Sequence, residues 1–405
     1  MHDVIIIGAG PAGNHAALDI AKAGFSVKVY DWRTKIGDKL CTGIIGQSCF
    51  NEFPPSKNEI YRSTSSANIV SPLGKTYLVD HNNPQAYVIN RISYVKSFAE
   101  KAIEAGAIYR LNEKVISLNI TDREVTVTSE TNGRNRKDTC KAVIIATGFG
   151  SPLLKMAGLG NGGVKKFLTG CQTTVYTEDL SRPTVFLGSK IGRGSFGWLV
   201  PTQNNEALLG LATSRKLNGH MDNLTEMLKT KGYIKEAEGP QQKWGIPVNP
   251  STPTYNNRAL SVGDAAGLTK PTTGGGIYYS LLSGKLAAQT LIQALNQGDL
   301  SSKQLKPYES EWKHLLSNEI NLGNVARRIF ESLRDSQIEF LISKLMTDEV
   351  REDILESSQV SFDWHGGIIK NAFMHSVFGK YLGILTPEIN QKPSDIKSHG
   401  SIEVA

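Results

Sequence analysis

The chain has 405 residues, of which 40% are hydrophobic and 20% charged, with 39 glycines. That length and balance exclude a small binding module and a disordered or fibrous chain, and leave room for two compact lobes or one large α/β unit with insertions. The 45 basic and 38 acidic side chains leave a net charge of +7, which suits an anionic substrate or a membrane surface, while the lack of a dense Lys/Arg block with interleaved aromatics argues against nucleic acid.

Residues 4–7 form an apolar strand, the glycine turn 8–13 follows, and Ala16, Ala17, Ile20 and Ala21 recur at helical spacing. A second strand over 26–30 ends at Asp31 and completes a βαβ opening. Residues 66–80 read as short strands about a Pro-Leu-Gly-Lys turn, an excursion before a helix over 92–107. Residues 116–128 alternate with β-branched side chains and pass the turn Asn132-Gly133-Arg134-Asn135 into a buried strand over 141–146. Between 163 and 250, β-type runs at 173–176, 184–187 and 207–211 predict a second, sheet-based unit with one helix near 221–231. A strand over 260–263 and a long helix from 274 through 295 return the chain to the first unit. Beyond Gly298 the sequence is helical and charged, with Trp312, Leu315, Ile320 and Leu322 as expected apolar contacts, and a polar tail begins near 392.

The chain opens into its first strand with no basic leader, so the expectation is a mature cytoplasmic protein. No stretch attains the roughly 18 apolar residues of a spanning helix, which limits membrane contact to the periphery. Cys41, Cys49, Cys140 and Cys171 are scattered without a C-x-x-C pair or a histidine cluster at metal-ligand spacing, which predicts a reducing compartment and no metal site.

Two motifs carry the chemistry. Gly8-x-Gly10-x-x-Gly13, with Ala12 inside the turn, stands between a strand and a helix and is followed by the acid Asp31. Glycines let the backbone approach a pyrophosphate, the helix start offers unpaired N–H groups, and Asp31 can accept from a ribose hydroxyl. Leu260-Ser-Val-Gly263-Asp264-Ala-Ala-Gly267, then Thr273-Gly274-Gly275-Gly276-Ile277 opening a helix, supplies a carboxylate at Asp264 for the ribityl and pyrophosphate part of FAD. It also supplies a second helix start, at Gly276 and Ile277, for negative charge at the flavin ring. No second strand-led G-x-G-x-x-G occurs between Gly148 and Leu260, which argues against a separate nicotinamide domain.

At these residues the chain resembles the geranylgeranyl reductase family, flavoproteins of the p-hydroxybenzoate-hydroxylase-like fold group. The segment Ile36-Gly37-Asp38-Lys39-Leu40-Cys41-Thr42-Gly43-Ile44 is similar to the Cys-Gly-Gly type of segment that lies along the flavin in that family. The resemblance implies FAD contacts at Cys41, Thr42, Gly43 and Ile44, at Arg91 within Tyr87-Val-Ile-Asn-Arg91, and through the backbone of Val115. Phe196-Gly-Trp198-Leu-Val-Pro201 is similar to the Tyr-x-Trp-x-Phe-Pro motif over the substrate. Departures are Thr42 for the glycine after Cys, Phe196 for Tyr, Val200 for Phe, and Ala146-Thr147-Gly148 for the Ala-Asp-Gly of the monooxygenase branch.

The fold class expected is α/β, α+β overall. It comprises a discontinuous Rossmann-like FAD-binding domain (1–65, 92–160 and 255–298), an interleaved antiparallel-sheet substrate domain (66–91 and 161–254), a C-terminal helical region (299–391) and a tail (392–405). Cys41 is a catalytic candidate that tunes the flavin, donates a proton or lines the substrate tunnel; otherwise it is a small buried hydrophobe. Trp198 is a cavity wall or a core aromatic. The basic amphipathic stretch 364–385 either rests on a lipid surface at the inner face of the membrane or packs on the protein's own body.

The resemblance implies an FAD-dependent reductase of C=C bonds in a polyprenyl chain, with a long-chain isoprenoid on a lipid, diphosphate or quinone as substrate. Electrons then come from NAD(P)H, a ferredoxin or a quinol. The alternatives on the same fold are a flavin-dependent monooxygenase or halogenase, and a non-redox isoprenoid cyclase that uses reduced flavin only electrostatically.

Overall fold

The computed structural model describes residues 1–160, 166–347 and 361–374. The strand His2–Ile7 takes the centre of an eight-stranded sheet because its apolar run has no polar face to leave in water. Val4 and Ile6 point to one side, Ile5 and Ile7 to the other, and all four are buried. Parallel pairing joins this strand to Arg134–Ile145 and Val27–Tyr30, and continues to Ala259–Ser261 on one flank and Ile108–Arg110 on the other. Helices Pro11–Lys22, Arg91–Glu104 and Ile277–Gln297 cover the face of Val4 and Ile6. The meander Lys114–Ile120, Val125–Thr131 and the start of Arg134–Ile145 covers the other. The Rossmann-like unit of the expected fold class is thus present.

The second sheet has seven strands in the order Ala237–Pro247, Phe167–Tyr176, Glu206–Thr213, Phe196–Pro201, Thr184–Leu187, Ser66–Val70 and Thr76–Asp80. Its pairing is antiparallel except where Thr184–Leu187 runs parallel to Ser66–Val70, the join at which the hairpin of the excursion docks. The pleat sorts its side chains. Cys171, Leu199, Leu209 and Leu211 face the helix His220–Thr230, whereas Leu168, Trp198, Val200, Ala212 and Ile246 face a third, three-stranded sheet of Ile44–Gly46, Ala86–Ile89 and Ile60–Thr64. Residues 86–89, read from sequence with the second unit, therefore pair with strands from the first unit's 1–65 segment.

The helix Ser302–Ser332 buries Leu305, Tyr308, Trp312, Leu316, Ile320 and Arg327, one stripe at helical spacing. Leu315, expected as a contact, is off that stripe and 42% exposed, while its neighbour Leu316 is buried, and Leu322 is half-buried. Leu333, Ile338 and Ile342 then pack on Tyr77, so the helix Asp335–Leu345 covers the outermost strand of the second sheet.

Of the amphipathic stretch 364–385, residues 364–374 are described. Trp364 packs on the rings of Tyr278 and Tyr279 and donates to Ser48 Oγ, so the stretch begins against the protein's own body. Val377, Phe378, Tyr381, Leu382, Leu385 and the tail from 392 lie outside the described residues. Among the described residues no helix is long and apolar enough to cross a membrane.

Candidate functional site

A cleft of about 840 Å³ opens where the glycine turn, the 37–40 segment, the meander and the edge strand Ala237–Pro247 converge. Gly8 and Gly13 are glycines for packing. A Cβ on Gly8, whose φ is +115°, would stand 2.2 Å from the Ala146 carbonyl oxygen, and one on Gly13 would stand 2.0 Å from the Gly8 oxygen. Gly10 is a glycine for another reason. Its missing Cβ would meet nothing within 4 Å, and the residue lines the cleft, so the vacant side is turned to whatever the cleft holds.

Asp31 accepts from the Ala9 N–H and the Arg33 N–H at 2.8 Å each, so its carboxylate sets the shape of the glycine turn while lining the cleft. Asn14, wholly buried in the helix, donates to the Ala9 and Val95 carbonyls and ties the same turn to Arg91–Glu104. Sequence reasoning passed over Asn14, although a lone amide among the alanines of an amphipathic helix is the signal that marks it. Ala12 lines the cleft and lies under the helix Ile277–Gln297, where a Cβ on Gly284 would be 2.4 Å from its carbonyl oxygen.

Arg91 is buried and donates through Nη1 to the carbonyls of Gly37 and Lys39, both at 2.6 Å, while its Nε has no partner. Gly37 and Gly43, at φ of +81° and +73°, press so close to Ile92 and Ile89 that a Cβ would reach their carbonyl oxygens at under 3 Å. The segment expected to lie along the flavin is thus clamped at both ends. Lys39 leaves this clamp to reach Asp264 Oδ2 at 2.5 Å, spanning the cleft. The motif contained Lys39, yet only the fold reveals its partner, 225 residues away in the chain.

Asp264 sits in the 3-10 turn Gly263–Ala266 and lines the cleft with Val115. Gly276 lies directly behind it, since a Cβ there would be 2.9 Å from Asp264 Oδ1, and the helix that begins at Ile277 has no side-chain cap on its first N–H groups. Cys41 is half-buried against the main core and is not among the residues that line the cleft. Thr42 Oγ1 donates to Gln172 at 2.9 Å, joining the clamped segment to the second sheet, and Ile44 begins the first strand of the small sheet. Trp198 is 9% exposed, lies across Gly210, and leaves its indole N–H without a partner. Trp244 lies likewise across Gly170, and Trp244 and Gly245 close the cleft from above.

Arg33, Lys35, Lys39, Arg91, Lys114 and Lys243 outnumber the four acids lining the cleft. A diphosphate with a ribose at the Asp31 end and a ring system toward Asp264 fits this charge, this volume and the open side of Gly10. FAD, the group implied by the sequence motifs, meets that description.

Residues 2–189 match the pyridine nucleotide-disulphide oxidoreductase family. The chain is 29% identical over 356 residues to digeranylgeranylglycerophospholipid reductase 1 of Methanococcoides burtonii, covering 84% of this chain and 86% of that one. The structure resembles a geranylgeranyl bacteriochlorophyll reductase-like protein of Thermoplasma acidophilum with a TM-score of 0.82 and 24% identity, over 95% and 99% of the two chains. It also resembles a p-nitrophenol 4-monooxygenase of Pseudomonas putida with a TM-score of 0.72 and 16% identity, over 88% and 97% of the chains. These two likenesses establish the fold.

Proposed function

We propose that this chain is an FAD-dependent oxidoreductase of geranylgeranyl reductase type, which saturates carbon–carbon double bonds of a polyprenyl chain carried on a lipid, diphosphate or quinone. One observation carries the reading. The clamped segment that walls the cleft continues at Ile44 into the small sheet, and that sheet covers the apolar face bearing Phe196, Trp198 and Trp244. Trp244 belongs to that apolar cluster and also lines the cleft, so the cofactor space and the apolar side chains adjoin at this strand. The likeness to a reductase of a digeranylgeranyl lipid supports the same substrate class.

FAD bound in the cleft and reduced by an electron donor would supply the hydride for one alkene carbon, leaving a proton to be taken by the other. The residues of the chain prepare that event. Gly10 admits the pyrophosphate on a turn that Gly8 and Gly13 keep tight, Asp31 takes the ribose, and Arg91 holds the wall through the Gly37 and Lys39 carbonyls. Lys39 and Asp264 pair in the cleft wall, and Trp244 and Phe149 line the cleft with apolar surface that keeps water from the reacting region. Within this reading Cys41, held in the clamped segment, serves the substrate side of the ring, and Val115, Gly276 and Ile277 offer backbone N–H groups. The protein works in the cytoplasm or at the inner membrane face, where such lipids are made, and draws electrons from a nicotinamide, a ferredoxin or a quinol.

The test is anaerobic. FAD-loaded protein is reduced with dithionite and given a digeranylgeranylglycerophospholipid. Reoxidation of the flavin with product heavier by two hydrogens per bond supports the proposal. Product carrying oxygen or halogen, or an isomer of unchanged mass, moves the assignment to the monooxygenase, halogenase or cyclase chemistry instead.

A further inference from the structure

Behind the glycine run, on the side away from the cleft, Lys270 is buried with its ammonium donating to the Phe362 carbonyl at 2.8 Å and standing 3.9 Å from Asp363 Oδ1. The amine also lies 4.5 Å from the centre of the Phe362 ring. Its stem supports the turn, since a Cβ on Gly275 would lie 2.9 Å from Lys270 Cε, and the Lys270 and Gly275 backbones exchange a hydrogen bond. Asp363 is 1% exposed and accepts from the N–H groups of Gly46 and Cys49, so its carboxyl is held in place between the small sheet and the glycine run. A buried lysine in this place does nothing that packing alone requires, because an apolar side chain of equal length fills the space at no desolvation cost.

We propose that Lys270 is a positioning cation for the cofactor, and that Asp363, delivered by the C-terminal region, balances its charge and thereby sets the reduction equilibrium of bound FAD. The inference rests on the reading that the flavin end of FAD meets the 274–277 turn. Two-electron reduction with uptake of one proton makes the cofactor one charge more negative, so a fixed cation behind the turn favours the reduced form. Burial pulls the Lys270 ammonium below the ordinary lysine range, and Asp363 most strongly pulls it back, followed by Cys49 and Glu319. The ammonium and the carboxylate are buried together, so losing the lysine alone leaves the Asp363 carboxylate without its partner beside the glycine run.

The experiment measures the reduction midpoint of bound FAD by anaerobic titration against reference dyes, with FAD affinity measured in parallel, in wild type, K270M and K270M/D363N. In K270M the couple shifts on the order of tenfold toward the oxidised form, about 30 mV for a two-electron couple, and the double variant returns to within about threefold of wild type. A purely structural role for the lysine moves stability and affinity but not this reversal. A K270M couple within about threefold of wild type, or a double variant as displaced as the single one, overturns the assignment. Where K270M takes up no FAD, D363N decides alone: a shift toward the reduced form supports the assignment, and no shift or the opposite shift overturns it. Wild-type protein that takes up no FAD refutes the reading of the cleft, and with it this assignment, whereas bound FAD with unmoved potentials refutes the assignment alone.

Discussion

Gly10→Ala separates a glycine kept for a ligand from one kept for the fold. At φ −84° and ψ −177° Gly10 has a backbone that alanine adopts freely, and the added methyl meets no atom within 4 Å. The variant without cofactor is therefore as stable as wild type or more stable by about 0.5–1 kcal/mol, because the unfolded chain loses freedom. The same methyl points into the space assigned to the pyrophosphate, and overpacking there costs about 1–3 kcal/mol of FAD binding, roughly a 5- to 150-fold rise in Kd. Gly13→Ala behaves oppositely, since its Cβ would stand 2.0 Å from the Gly8 oxygen and the fold itself must yield. Urea denaturation of both apo variants and quenching of FAD fluorescence on titration give the two readouts. A G10A protein that binds FAD as tightly as wild type refutes the placement of the pyrophosphate at the glycine turn.

Replacing Arg91 with Met strips a buried and a part-buried carbonyl of a charged donor, at about 1.5–3 kcal/mol each, so urea denaturation shows a loss of about 3–6 kcal/mol and FAD affinity falls with it. Gly210→Ala drives a methyl to 2.2 Å from the Trp198 ring, costing about 1–3 kcal/mol; in a Trp198→Ala background most of that cost disappears, and a double-mutant cycle that shows simple additivity refutes the contact. His365 is half-buried between Thr272 and Phe362, its Nε2 donating to the Phe362 carbonyl, and its desolvation there, aided by Lys270, pushes it down to about 3. A histidine depressed in the folded state contributes its full stability above the unfolded value near 6.5 and loses it as pH falls from there toward 3. His365→Gln flattens that part of the stability profile, as thermal melts across the range reveal.

The central sheet was legible because its strands are unbroken apolar runs and its helices open on glycine turns, and both signals are local. Arg91 and Asp31 were legible as site residues, but what they do was not: each satisfies backbone groups of the chain itself as well as facing the cleft. Lys39 with Asp264, Thr42 with Gln172, and Lys270 with Asp363 are pairings across 225, 130 and 93 residues, and no periodicity carries such information. Leu315 was misplaced by a single position: two adjacent leucines are equivalent by composition, and only the register of the stripe through Trp312, Leu316 and Ile320 tells that Leu316 is the buried one. Asn14 was missed because pattern reading counts polar residues in an apolar helix as breaks rather than as ties.

The parallel join between Ser66–Val70 and Thr184–Leu187, together with the return of Ala259–Ser261 to the first sheet, has a consequence for biogenesis. Neither sheet is complete when its first strands leave the ribosome. The hairpin 66–80 waits for a partner more than 100 residues later, and the opening βαβ unit waits still longer for the helix Ile277–Gln297 that covers it. A fragment cut at residue 189, where the family match ends, leaves the helix-covered face of the first sheet half bare and the second sheet without Phe196–Pro201, Glu206–Thr213 and Ala237–Pro247. Such a fragment aggregates rather than folds, and the two units must be produced, truncated and fused as one piece.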